Sequence, residues 1–131
     1  MEFYRGRLID HVHLRARDLA ASQHFYAAIL AVLDIPVVRD GTHLAADELW
    51  IDAGEQGSRV HLAFQTSDRA MVDKAWQAGL DAGGRDNGAP GERKYHPGYY
   101  AGFLLDPDGN NIEVVHHGPA TRSAGSVKLT I

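Results

Sequence analysis

The sequence predicts an α+β fold built from two βαβββ modules, residues 8–56 and 57–117, followed by a tail over 118–131. Three observations carry this. The chain partly repeats itself at an offset of fifty residues. Each copy passes from strand alternation to helical periodicity at an aspartate, and each helix is followed by short strand-like runs. Placing HVHLRARDLAASQHFYAAIL, from His11, over HLAFQTSDRAMVDKAWQAGL, from His61, aligns His11 with His61, Asp18 with Asp68, Ala20 with Ala70, Ala28 with Ala78 and Leu30 with Leu80. Similar residues coincide at Val12 and Leu62, Leu14 and Phe64, and Tyr26 and Trp76.

The first copy opens with Val12, Leu14 and Ala16 on one face of a strand and His11, His13 and Arg15 on the other. In the second, Leu62, Phe64 and Thr66 oppose His61, Ala63 and Gln65. Asp18 and Asp68 stand where a helix would begin, their oxygens suited to cap free N–H groups and their charge to the helix dipole. Phe25, Tyr26, Ile29, Leu30 and Leu33 then recur at helical spacing, as do Met71, Val72, Ala75, Trp76 and Leu80. Pro36 limits the first helix, and Gly83-Gly84 ends the second. Strands are expected at about 36–39, 43–46 and 48–53, and again near 84–86, 99–105 and 111–116. The Gly- and Pro-rich stretch 84–98 reads as a long loop, a kind of segment that often carries function. The tail is polar as far as Val127 and is expected either to be mobile or to add an edge strand.

A length of 131 residues suits one compact domain with an ordinary core. The 44% hydrophobic and 23% charged fractions are globular values, which argues against pervasive disorder. A formal net charge of -4 and the lack of any Lys/Arg block argue against nucleic acid as a partner. The absence of cysteine removes disulfide frameworks, thiolate metal sites and cysteine nucleophiles. No apolar stretch approaches a membrane span, and the opening MEFYRGRLID does not read as a signal peptide, so a cytoplasmic location is expected. Eight histidines turn attention to metal or acid–base chemistry.

His11 and His61 occupy equivalent positions on the polar faces of equivalent strands. If the modules pack with pseudo-twofold symmetry, the two imidazoles approach one another. Glu113 is the natural third member: it sits alone in an apolar run, and alternation turns it, with Asn111 and Val115, away from Ile112 and Val114. A buried carboxylate needs a compensating charge. Two histidines and one carboxylate suit Fe2+, Mn2+ or Zn2+ and leave positions for water or a substrate oxygen. The remaining pocket candidates lie in KYHPGYYAGFLLD: Phe103 and Tyr99 by parity, Tyr100 only if its strand is bulged, and His96 as a general acid or base. His13 and Arg15 share the face of His11, with His13 a candidate substrate contact and Arg15 either a substrate-anion contact or a rim residue, while His24, His43, His116 and His117 are expected in solvent.

The stretches IDHVHLRARDLAASQHFYAAIL, VHLAFQTSD and FLLDPDGNNIEVV resemble the glyoxalase, bleomycin-resistance and extradiol-dioxygenase group, the vicinal oxygen chelate superfamily. The resemblance implies two modules forming a curved mixed sheet around a cavity centred on a divalent ion (Fe2+, Mn2+, Zn2+ or Ni2+). It puts His11, His61 and Glu113 on the ligand positions. It further implies a homodimer, often with modules paired across subunits, and lyase, isomerase or dioxygenase chemistry on a small substrate with adjacent oxygens. Metal-dependent glyoxalases add an acid on the last strand of the first module. That strand is ELWIDAG here, where Trp50 takes the pocket-facing parity, shared by Glu48 and Asp52. A three-ligand site is instead similar to the extradiol dioxygenases and the fosfomycin thiol transferases, which share Leu49-Trp50. The non-enzyme alternative is a metal-free drug-binding protein of the bleomycin-resistance type.

Overall fold

A computed structural model describes residues 1–131, and its elements run in the expected order. The first module holds β2 (Val12–Ala16), α1 (Leu19–Val32), β3 (Val38–Arg39), β4 (His43–Ala46) and β5 (Leu49–Ala53). The second holds β6 (His61–Gln65), α2 (Arg69–Asp81), β7 (Arg85–Asp86), β8 (Gly91–Glu92), β9 (Tyr100–Leu105) and β10 (Asn111–His116). The chain ends supply β1 (Glu2–Arg5) and β11 (Val127–Thr130). No helix is long and apolar enough to cross a membrane.

Local chemistry accounts for the boundaries. Asp18 caps α1 by accepting from the Ala21 N–H at 3.1 Å, and Asp68 caps α2 by accepting from Met71 at 2.8 Å. Both helices close with the paired bonds of a Schellman motif: Asp34 to Ala31 and Ile35 to Leu30 after α1, Gly83 to Leu80 and Gly84 to Gly79 after α2. The left-handed residue is Gly83 in the second case and Asp34, at φ 59°, in the first. Gly79 has a different reason. A Cβ there would press on Ile29 and Leu104, so its absence lets α2 approach both α1 and β9.

Each module sheet pairs its first strand with its last in parallel and is otherwise antiparallel, in the orders β2-β5-β4-β3 and β6-β10-β9-β7, with β8 also on β9. α1 packs on α2, and each helix packs on its own sheet. Leu14, Ile29, Leu44 and Ile51 thereby join Val72, Leu104, Ile112 and Val114 in one core. The helices thus lie between two sheets that remain separate within the chain. β2 and β6, the first strand of each module, are both edge strands. A cleft of about 710 Å³ runs between them, floored by Leu30, Leu49, Leu62, Phe64 and Met71.

The turn that sets the register of β10 also joins the modules. Buried Asp106 accepts from the Asp108 and Asn110 N–H groups, from Asn110 Nδ2, and from the Tyr26 hydroxyl of α1 at 2.5 Å. Asp108 Oδ1 accepts from Arg17 at the end of β2, and Asn110 Oδ1 accepts from the Val60 N–H before β6.

Three features differ from the sequence expectation. β1 is additional, and the tail strand pairs with it in an isolated antiparallel ribbon rather than extending a module sheet. The stretch 84–98 is partly tied down, because β8 pairs Gly91 with Ala101 and Glu92 with Tyr100.

Candidate functional site

In the second module, register places Ala63, Glu113 and Phe103 in one row across the sheet, with His61 one row away opposite Asn111. His61 reaches diagonally to Glu113, its Nε2 lying 2.8 Å from Oε1. Glu113 is only 3 % exposed, and its other oxygen accepts the Tyr99 hydroxyl. Burial first, then this hydrogen bond and the Glu113 charge, push the Tyr99 phenol up to about 12, so it stays a donor at ordinary pH. The Phe103 ring lies 6.1 Å from that of His61, with the Arg93 guanidinium over it at 5.4 Å.

Beside Tyr99 stands an exposed histidine pair. His96 Nδ1 lies 3.0 Å from the Pro97 carbonyl, which can only accept, so Nδ1 carries a proton. In neutral His96, Nε2 is then the acceptor for His117 Nδ1–H at 2.9 Å. His96 thus borders the site against the Tyr99 ring, 5.2 Å away between centroids, without a direct bond to Glu113.

Tyr100 departs from the substrate-contact expectation. β9 is not bulged at this residue, and Tyr100 faces α2, donating to Asp73 Oδ1 at 2.6 Å beneath the Arg69 guanidinium. The Asp73 hydrogen bond, with burial, raises its pKa.

The corresponding face of the first module carries its own cluster. His13 Nε2 is 2.8 Å from Asp52 Oδ1, Arg15 Nε is 3.3 Å from the same oxygen, and Trp50 Nε1 donates to Asp52 Oδ2. The His13 hydrogen bond is the main reason the Asp52 carboxyl is held below its usual range. His43 stacks flat on Trp50 at 4.2 Å. His11, His13, Glu48 and Trp50 line a cavity of about 470 Å³ that also receives Arg5. Because His13 pairs with Trp50 as Ala63 pairs with Glu113, Trp50 occupies the counterpart of Glu113. Neither Glu48 nor Asp52 takes that place, and Asp52 is already engaged by three side chains.

His61 and Glu113 therefore meet, while His11 does not join them: it lies with the other sheet, its Nδ1 2.7 Å from Asp10. The chain alone brings no three His, Cys, Asp or Glu side chains close enough to share an ion. The reason is the packing of the modules through their helices. The pair that does form is a hydrogen bond of ordinary length between two residue types that divalent ions accept as ligands.

Sequence reasoning missed His117, His43, Asp10 and Arg5. Asp10 was adjacent to a flagged histidine, and His43 shared the parity of Ala45, which pairs with Trp50. Nothing local marked Arg5 or the pairing of His117 with His96.

The chain belongs to the Glyoxalase/Bleomycin resistance protein/Dioxygenase superfamily, whose family model matches residues 8–114. No curated protein matches it in sequence. Among solved structures it is similar to a glyoxalase/bleomycin resistance protein from Albidiferax ferrireducens, at 27% identity and TM-score 0.70, covering 83% of this chain and 98% of that one. A family enzyme from Burkholderia phytofirmans follows at 23% identity and TM-score 0.63, covering 81% and 95%. Lactoylglutathione lyase from Agrobacterium tumefaciens has 20% identity and TM-score 0.61, covering 83% and 92%. The last two bear on the fold alone.

Proposed function

We propose that this chain is a divalent-metal-dependent enzyme acting on a small substrate with adjacent oxygens. In this reading its centre is formed by His61 and Glu113 of one copy and His11 of a second. The observation that carries it is the nearly solvent-free Glu113 carboxylate held 2.8 Å from His61 Nε2, on a sheet whose first strand has an open edge. β2, which follows His11 directly, also stands at an edge of its sheet, where Ser58 already bonds the Arg15 N–H and carbonyl. Open edges invite pairing, and a second copy offers each edge the complementary one. Fe2+, Mn2+, Zn2+ or Ni2+ are the ions this donor set suits. A bound ion would supply Lewis-acid stabilisation of an enolate or oxyanion or, as iron, reactivity toward dioxygen.

The chain's own groups have separable tasks. Tyr99, kept protonated, donates to one Glu113 oxygen and so turns the other toward His61. His96, backed by His117, stands at the border of the site where it can hold or release a proton. Phe103 and Trp50 supply apolar walls, and His13 with Asp52 supplies a polar one.

A second reading, a metal-free binding protein, has one observation in its favour: both Glu113 oxygens already have protein partners. Elemental analysis of protein purified without a histidine tag separates the two. Stoichiometric metal in the wild type, lost in His61→Ala and Glu113→Gln, supports the enzyme centre. A wild type that takes up none of the four ions favours the binding protein.

A further inference from the structure

We infer that Asp10, held by Arg5 of the terminal ribbon, positions the His11 imidazole so that Nε2 is the nitrogen it presents. This rests on the reading of His11 as a metal ligand. His11 Nδ1 is 2.7 Å from Asp10 Oδ1, and the same oxygen is 3.5 Å from Arg5 Nε. Arg5 is itself fixed: its NH1 donates to the Asp47 carbonyl at 3.0 Å and the Tyr4 carbonyl at 2.9 Å, and its guanidinium covers Phe3 at 4.8 Å. Its backbone pairs with Val127 in the β1–β11 ribbon. Arg5 Nε is buried without a hydrogen-bond partner, so its contact with Asp10 is an ion pair that sets a charge from the terminal ribbon beside the carboxylate.

The two modules treat their equivalent histidines in opposite ways. His61 turns Nε2 to a carboxylate that is a candidate ligand, whereas His11 turns Nδ1 to a carboxylate and leaves Nε2 free. A metal-bound histidine commonly donates its other ring N–H to a carboxylate, which fixes the tautomer and strengthens the ligand. Val60 stands at the offset position of Asp10, and Glu55 at that of Arg5, so the repeat itself does not require the pair. Both ribbon strands also begin outside the family core: Arg5 precedes residue 8, and Val127 follows residue 114. The ribbon thus lies outside the residues that the family model matches and reaches back to His11 through Arg5.

The test uses full-length protein at about pH 8.5, where imidazoles are neutral. Long-range 1H–15N NMR of the metal-free chain reads the His11 tautomer, with His11→Ala for assignment, and titration with Co2+ reads affinity. The wild type is expected to carry the proton on His11 Nδ1. Asp10→Ala moves it to Nε2 and weakens Co2+ binding roughly 10- to 100-fold. Arg5→Ala acts in the same direction, and Arg5→Lys recovers part of the loss. Unchanged tautomer in Asp10→Ala, or Co2+ bound equally by wild type and both alanine variants, overturns the inference and leaves the metal reading standing. A wild type that binds neither Co2+ nor any of Fe2+, Mn2+, Zn2+ and Ni2+ overturns both.

Discussion

Glu113 sits on the face of a sheet away from the main core, yet is almost fully buried because His61, Tyr99 and the neighbouring strands close over it. Its partner Tyr99 gives a residue-scale prediction. The folded phenol titrates at about 12, above its ordinary value of 10, so its contribution to stability is complete below pH 10 and is lost as pH rises through 12. Titration of tyrosinate absorbance should therefore show a component near 12 that Tyr99→Phe abolishes, and the variant should lose the corresponding fall in stability above pH 10. A titration identical in both proteins would contradict the assignment. The emplacement of Glu113 was legible in sequence because alternation alone turns it from Ile112 and Val114. Its bond to Tyr99 was not, since that bond spans a turn and a strand pairing whose register one residue cannot announce.

At the scale of elements, α1 ends on a conformational compromise. Asp34 adopts φ 59° to complete the Schellman motif, a task that Gly83 performs for α2. Replacing a residue that bears a Cβ by glycine there relieves the left-handed penalty, so Asp34→Gly should stabilise the fold by about 1 kcal/mol in urea unfolding. A destabilised variant would mean that the aspartate side chain contributes more than its backbone strain costs. The helices and most strands were readable because caps, periodicity and turn residues act within a few positions, as with Asp18, Asp68 and the 106–110 turn. β1 escaped, and the tail strand β11 was expected only as one of two outcomes and without its partner, for the opposite reason: each is four residues long and pairs only with the far end of the chain.

For the whole molecule, the repeat identified His11 and His61 as equivalent, but equivalence does not say whether equivalent residues meet within a chain or between chains. That depends on how the modules pack. Here the helices pack together, the two sheets stay apart, and β2 and β6 stand at sheet edges on either side of a cleft, with Ser58 bonding the Arg15 backbone on the β2 side. The centre proposed above therefore requires two copies, each lending what the other lacks. Mixing unfolded His11→Ala and His61→Ala chains, refolding them together and measuring bound metal tests this most directly. Each variant alone should be empty. Random pairing makes half of the dimers mixed, and each mixed dimer holds one intact centre, so the mixture should recover about one quarter of the wild-type metal. A mixture as empty as its parents, beside a loaded wild type, would contradict a centre shared between copies.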